Sequence, residues 1–228
     1  MRYLLCAVAL IFSSQSFASP QSVTPIDCVA QRNDLLARAD FDPLQLEKEE
    51  RSAIEASVKL WHEGKTADAL VPLHQLLDKY PISIAGFRFL AEAMEAWATA
   101  ASTPEHKAGF SAAGEKYRAF YESLVESILS SGDGKSEVTA YRVLDVSEEY
   151  ELVHYMHLEP SEQVLINNTA TGRAYDRITA KNKAGKESVI FFDITKFWLA
   201  ENNVSNALAR KPQPKTPANP GMDEPSKH

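Results

Sequence analysis

The feature that most constrains this chain is a change of hydrophobic period near residue 131. Before it, apolar side chains recur every three to four residues; after it they fall into short β-branched and aromatic runs. Residues 47–63 place Ile54, Val58 and Trp61 on one helical face and stop at Gly64, a residue suited to a left-handed helix end. Leu70, Leu73, Leu77 and Tyr80 form a second stripe over 67–79, with Thr66 as the expected N-cap. Pro72 lies inside that span, so the helix either kinks there or starts a turn later. Phe87, Leu90, Ala91, Met94 and Trp97 form a third stripe. Thr103-Pro104, a cap followed by proline at the first helical position, opens a fourth with Tyr117, Phe120, Tyr121, Leu124 and Ile128.

Ser131-Gly132-Asp133-Gly134 closes the helical half. Gly132 is expected to end the long helix in a left-handed conformation, and Asp133-Gly134 to turn tightly. Residues 139–146 then read as a strand, and Ser147 as the cap of a short helix over 148–158 that Pro160 terminates. Three more strands are expected at 163–166, 174–181 and 186–195, the last two joined at Ala184-Gly185. Val189, Ile190, Phe191 and Phe192 are apolar on both faces, which predicts a central strand covered on both sides. The fold class that follows is α+β: N-terminal helical hairpins over 19–131, packed as one unit with a small, mainly antiparallel sheet over 132–200. Pro212, Pro214, Pro217, Pro220 and Pro225 punctuate residues 201–228, which are expected to form a disordered tail.

Two family likenesses rest on these residues. Gly64, Ala69, Leu73 and Pro81, followed by Phe87, Leu90, Ala91 and Met94, resemble a tetratricopeptide helical hairpin over about residues 50–101. They stand as its turn glycine, small packing residue, large packing residue, closing proline and the first helix of a next repeat. Fewer than three full repeats fit, so at most a short module is implied. The turn at 131–135, the strand start Thr139-Ala140-Tyr141, the helix start at 146–150 and the apolar run from Val189 to Trp198 are similar to the exported bacterial family known as domain of unknown function 4919. That resemblance implies an exported α+β protein and assigns no chemistry.

Residues 1–18 read as a signal peptide: Arg2 supplies the positive charge, residues 3–12 the apolar stretch, and Ser16-Phe17-Ala18 the cleavage site. The expected mature chain starts at Ser19 and is periplasmic or secreted. No apolar run is long enough to span a bilayer, so no stable membrane insertion is expected. Cys28 follows Pro25-Ile26-Asp27, a poor context for lipid attachment, and it is left alone once Cys6 is cleaved away. It reads as a packed thiol, with an intermolecular disulfide as the other reading. With 31 acidic against 24 basic residues, a net charge of -7, a nucleic-acid partner is not expected.

Motifs that carry chemistry are scarce. Gly132 to Ser136 contains a Gly-Lys-Ser ending, but a phosphate loop needs its first glycine where Leu129 stands, and strand–loop–helix order rather than helix–loop–strand. Glu151, His154 and His157 step along one helix, with Glu148 a turn earlier; a di-metal carboxylate site would need a second such set, which is missing. His62-Glu63 lacks the second histidine of a zinc protease, no nucleophile elbow occurs, and nothing local makes Cys28 a nucleophile. Trp61, Phe87, Phe89, Trp97, Tyr117 and Tyr121 are expected in the core, with one or two lining a groove between helix pairs. Phe191, Phe192, Phe197 and Trp198 read as core between helices and sheet. No catalytic, cofactor or metal residues are assigned. The expectation is an exported envelope protein, a non-catalytic protein- or peptide-binding scaffold. The alternatives are a periplasmic inhibitor or immunity protein against a basic enzyme, and a hydrolase or metal enzyme whose site is assembled from distant residues.

Overall fold

A computed structural model describes residues 27–209, with side chains through residue 203. The expected signal peptide and most of the expected tail lie outside these residues. Seven α-helices are described: α1 (Cys28–Ala37), α2 (Pro43–His62), α3 (Val71–Lys79), α4 (Ile84–Ala100), α5 (Pro104–Leu129), α6 (Val146–Tyr155) and α7 (Thr195–Ala209). Four strands, β1 (Tyr141–Arg142), β2 (Glu159–Asn168), β3 (Arg173–Lys181) and β4 (Glu187–Asp193), form one sheet in the order β1-β4-β3-β2. All neighbours are antiparallel except β1 and β4. The α+β class expected from the sequence is thus the class found.

Local chemistry explains most helix ends. At Gly64, φ is 75°, and Lys65 N–H donates to Leu60 O while Gly64 N–H donates to Trp61 O, the paired bonds of a glycine-terminated helix. Thr103 Oγ1 accepts from His106 N–H at 3.2 Å and Pro104 is the first residue of α5. Pro72 sits in the first turn of α3, after a 3-10 turn at Asp68–Leu70. The regular helix therefore starts a turn later than the apolar stripe does, and Thr66 bonds Gly64 O instead of capping it.

Several local expectations are corrected. Gly132 does not have positive φ; Gly134 does, at 65°. Gly132 is required because a Cβ there would lie 2.3 Å from the Thr139 carbonyl oxygen. Asp145, not Ser147, caps α6, its Oδ1 accepting from Glu148 N–H at 3.1 Å. The helix ends with His157 at φ 57°, in the position glycine usually takes, and Pro160 lies inside β2. The strand expected over 139–146 shrinks to two residues, because Val143 and Leu144 turn into the core. Helix α7 runs through residues 201–209, which the composition assigned to the tail.

One core holds the helical half and the sheet together. Leu46, Ile84, Phe87, Leu124 and Ile128 from the helices meet Ile178, Ile190 and Phe192 from the inner face of the sheet. A smaller cluster of Met94, Trp97, Ala98 and Phe110 fills the far end of the α4–α5 hairpin, with Trp61 stacked on Trp97 at 5.6 Å. Strand β4 is central, as its apolar run predicts. Its second face is not sealed: Val189 is 48% exposed.

Candidate functional site

Helix α6 is the hub of the polar architecture. Residues 145–150, Asp-Val-Ser-Glu-Glu-Tyr, start the helix and place three carboxylates, Asp145, Glu148 and Glu149, at 0–1% exposure. Glu50 on α2, Asp176 on β3 and Arg32 on α1 join them, also buried. Five carboxyl groups thus share the interior with one guanidinium, an arrangement a dry core tolerates only through ion pairing and retained protons.

The ion pair is Arg32–Glu148. Both guanidinium Nη atoms face the carboxylate, Nη2 at 2.8 Å from Oε2, and Nη2 also donates to Arg142 O at 3.1 Å. Leu144 N–H completes the shell, donating to Glu148 Oε2 at 2.7 Å. Beside it, Glu50 accepts from Ser83 Oγ at 2.6 Å and from Ser147 Oγ at 3.2 Å, and Ser147 Oγ lies 2.7 Å from Asp145 Oδ1. Burial and then the neighbouring Asp145 push Glu50 well above the usual carboxylate range. Burial, with repulsion from Glu148, pushes Asp145 up to about 7.

The third part lies under the sheet edge. Gln163 Nε2 donates to Asp176 Oδ2 at 2.6 Å and reaches Glu149 Oε2 at 3.4 Å, while Tyr150 O–H donates to Gln163 Oε1 at 2.5 Å. Burial first, and the facing Asp176 second, push Glu149 up to about 9; Asp176 is raised as well, by burial. Glu149 therefore keeps its proton at neutral pH, beside Asp176. Asp145 Oδ2 and Glu149 Oε1 have no hydrogen-bond partner. Protonated carboxyls next to carboxylates have the makings of acid–base chemistry, but these are sealed: none of them lines either cleft described below. The network ties α6 to α1, α2 and the sheet.

The residues singled out from the sequence fall into separate places. Glu151 accepts from Arg88 Nε at 2.7 Å, bridging α6 to α4, and burial raises its pKa. His154 and His157 lie on the rim of a cleft and do not converge on Glu151 as ligands. Among the described residues no group of three or more His, Cys, Asp or Glu side chains is arranged to hold a metal. In the glycine loop, Asp133 N–H and Gly134 N–H both donate to Thr139 O, at 3.0 and 2.8 Å, and Gly134 O accepts from Phe191 N–H at 2.9 Å. Those two amides are spent on the Thr139 carbonyl and cannot cradle a phosphate, while the Gly134 carbonyl fastens the loop to β4. His62 and Glu63 close α2 at the surface. Cys28 is a buried free thiol whose pKa burial raises, which disfavours the thiolate a nucleophile needs. The aromatic stripe is mostly core, Phe87 stacking on Phe120 at 5.1 Å, and Tyr121 is the member that lines a cleft.

Two surface clefts are formed by the described residues of the helical half and α6. The larger, about 740 Å³, is walled by α1, the α1–α2 connection and the turn between α3 and α4. Leu35, Phe41, Tyr80 and Ile82 give it an apolar floor, and Asp34, Arg38, Asp40, Asp42 and Lys79 a charged rim. Two of its cations are already paired, Arg38 with Asp40 at 2.8 Å and Lys79 with Glu49 at 2.5 Å. The smaller, about 460 Å³, lies between α4, α5 and α6 and is lined by Arg88, Arg118, Tyr121, Tyr155, His154 and His157 among others. Its arginines are likewise engaged, Arg88 by Glu92 and Glu151, Arg118 by Glu95. No sequence signal foretold the larger cleft, because its floor is drawn from residues 35, 41, 80 and 82, far apart in the chain.

Fold and site together define an α+β protein with a sealed carboxyl network and shallow clefts along its helical half. The family model described as Domain of unknown function (DUF4919) matches residues 37–203, and the chain belongs to that family. No curated protein and no solved structure matches it. No helix among the described residues is long and apolar enough to cross a membrane.

Proposed function

We propose that this chain is an exported, non-catalytic binding module that holds an extended polypeptide segment of a partner protein in the cleft between α1, α2 and the α3–α4 turn. The observation that carries this reading is the cleft itself. Its volume of about 740 Å³ and its apolar floor under a polar rim are the proportions of a site for a few residues of ligand. Leu35, Phe41 and Tyr80 offer a seat for one large apolar side chain. Asp34 and Asp42 on the rim, and the chain's net charge of -7, favour basic residues flanking that anchor.

Against an enzyme stands the placement of the unusual carboxyls, which are walled off from both clefts, while the cleft arginines are held in ion pairs. Export rests on residues 1–18, and intact mass of the secreted chain tests it: a product beginning at Ser19 supports the reading and a product beginning at Met1 opposes it. Binding is tested by affinity capture from an envelope fraction with wild type and the double variant Asp34→Arg/Gln45→Arg. Both side chains are exposed on the rim, so folding should be unaffected and a thermal melt checks it. The captured partner should be lost, or its affinity fall at least about tenfold, on charge reversal. Equal capture by both proteins would refute this cleft as the site.

A further inference from the structure

The two edges of the sheet are managed differently. Strand β1 is two residues long, and the N–H of its own Arg142 is taken by Ser131 Oγ at 2.8 Å. Strand β2 is ten residues long and, among the described residues, pairs only with β3. An edge of that length is a template for another strand unless charge, proline or irregularity blunts it. All such devices in β2 lie in its first half: Glu159, Pro160, Glu162 and a register shift between Pro160 and Glu162. Residues 163–168, Gln-Val-Leu-Ile-Asn-Asn, carry no charge, no proline and no glycine. Leu165 in their middle is 54% exposed.

We propose that the free edge of β2 pairs with the same edge of a second copy of this chain, antiparallel about Leu165, joining two four-stranded sheets into one. The register follows from side-chain matching. About Leu165, Val164 faces Ile166 of the second copy, Gln163 faces Asn167, and Glu162, the lone charge in the span, faces Asn168. Apolar meets apolar, amide meets amide, and no like charges are opposed. Moving the centre to Glu162 would set two carboxylates against each other. Moving it to Ile166 would set Leu165 against an asparagine amide.

Geometry adds contact beyond the backbone ladder. Gln163 reaches Asp176 and Glu149 on the helix side of the sheet, and Leu165, two residues on, points to that side too. An antiparallel pair is related by a twofold axis normal to the sheet, so both α6 helices lie on the same side of the joined sheet. Tyr150 on α6, 43% exposed and bonded to Gln163, then flanks the seam from each copy beside the two Leu165 side chains. The seam is self-complementary, and none of its residues lines the cleft assigned to a partner, so the two readings stand or fall separately.

The test is the solution mass of the full chain by sedimentation velocity, from low micromolar to near-millimolar concentration. A concentration-dependent shift toward the mass of two chains is expected. Leu165→Lys should abolish it, because two ammonium groups would meet at the axis, whereas Val138→Lys, at a 93% exposed position elsewhere, should not. Leu165 is too exposed for its replacement to unfold the protein, and a thermal melt of the variant verifies that. Amide hydrogen exchange at residues 163–168 should slow as concentration rises. A monomer at the highest concentration, or a dimer that survives Leu165→Lys, overturns the proposal.

Discussion

Replacing Glu149 with Gln should stabilise the protein at alkaline pH and leave it almost unchanged at acid pH. Glu149 is fully buried, and its pKa rises from an ordinary 4.5 to about 9 in the fold. Between those values the folded chain holds a proton that the unfolded chain has released, so stability falls as pH rises through that window. Below the window both states are protonated and the term vanishes. Each unit is worth about 1.4 kcal/mol, so at about pH 8 the ceiling is ~5 kcal/mol. Relaxation around a buried charge lowers such ceilings, and about 2–4 kcal/mol is the expected gain. Glutamine removes the proton dependence while keeping the contact with Gln163: its oxygen accepts from that side chain as Oε2 does, and its NH2 takes the place of Oε1, which has no hydrogen-bond partner. Thermal melts of wild type and variant at about pH 4.5 and about pH 8 measure the difference. At the higher pH the variant should melt roughly 5–15 °C above wild type, from about 2–4 °C per kcal/mol for a domain of this size. A variant less stable than wild type at the alkaline end, or a difference that widens toward acid, would refute the reasoning.

Four further outcomes are expected. Arg32→Ala leaves Glu148 buried without its cation and should cost about 3–5 kcal/mol in denaturant melts, with Arg32→Lys recovering only part because the two-pronged contact is lost. Gly132→Val should cost more than about 2 kcal/mol, since even a Cβ meets the Thr139 carbonyl at 2.3 Å; Gly132→Ala should already be damaging, whereas a purely conformational requirement would spare alanine more. His157→Gly, at φ 57°, should stabilise by about 0.5–1 kcal/mol by relieving the left-handed strain, read as a raised melting temperature. Phe192→Ala, at 0% exposure, should cost about 3–5 kcal/mol, and Phe120→Ala distinctly less, because Phe120 is only partly buried where it stacks on Phe87.

What was legible in the sequence is what is decided within a few residues. Gly64, Thr103-Pro104 and Ala184-Gly185 mark their turns and helix ends because the backbone bonds they serve are local, and Gly185 does take φ 77°. Elsewhere the right residue was found for the wrong cause. Gly132 is needed because another strand of backbone passes it, a contact with Thr139 that no helix-end rule contains. Asp145 and Ser147 are both good caps by type. The choice between them falls to Glu50, ninety-seven residues away from Ser147, which draws that hydroxyl into the core. Helix α7 was hidden for a similar reason: Lys196 is anchored by the carbonyls of Leu35, Leu36 and Arg38 at the end of α1, so its start is set by tertiary contact.

The carboxyl network escaped for a more general reason. A periodicity reading assigns charged residues to solvent, and Glu50, Glu148, Glu149 and Asp176 are all charged by type. Their partners lie far off in the chain: Arg32 to Glu148 spans 116 residues and Ser83 to Glu50 spans 33. Only the burial of two adjacent glutamates on α6 reveals that this helix has polar partners on both flanks, Arg32 of α1 and Glu50 of α2 on one and Asp176 of β3 on the other. Apolar residues of similar volume would hold those flanks together at least as tightly. What carboxyls and a guanidinium add is direction, since each bond is satisfied in one orientation of α6 and lost in a rotated one. That orientation is what sets Tyr150 against Gln163 at the edge of β2 and Tyr155 and His154 at the smaller cleft. A protein whose surfaces rather than whose buried acids meet its partners would need such a helix fixed, and changes inside the network should then alter stability and pH response well before they alter binding at the α1–α2 cleft.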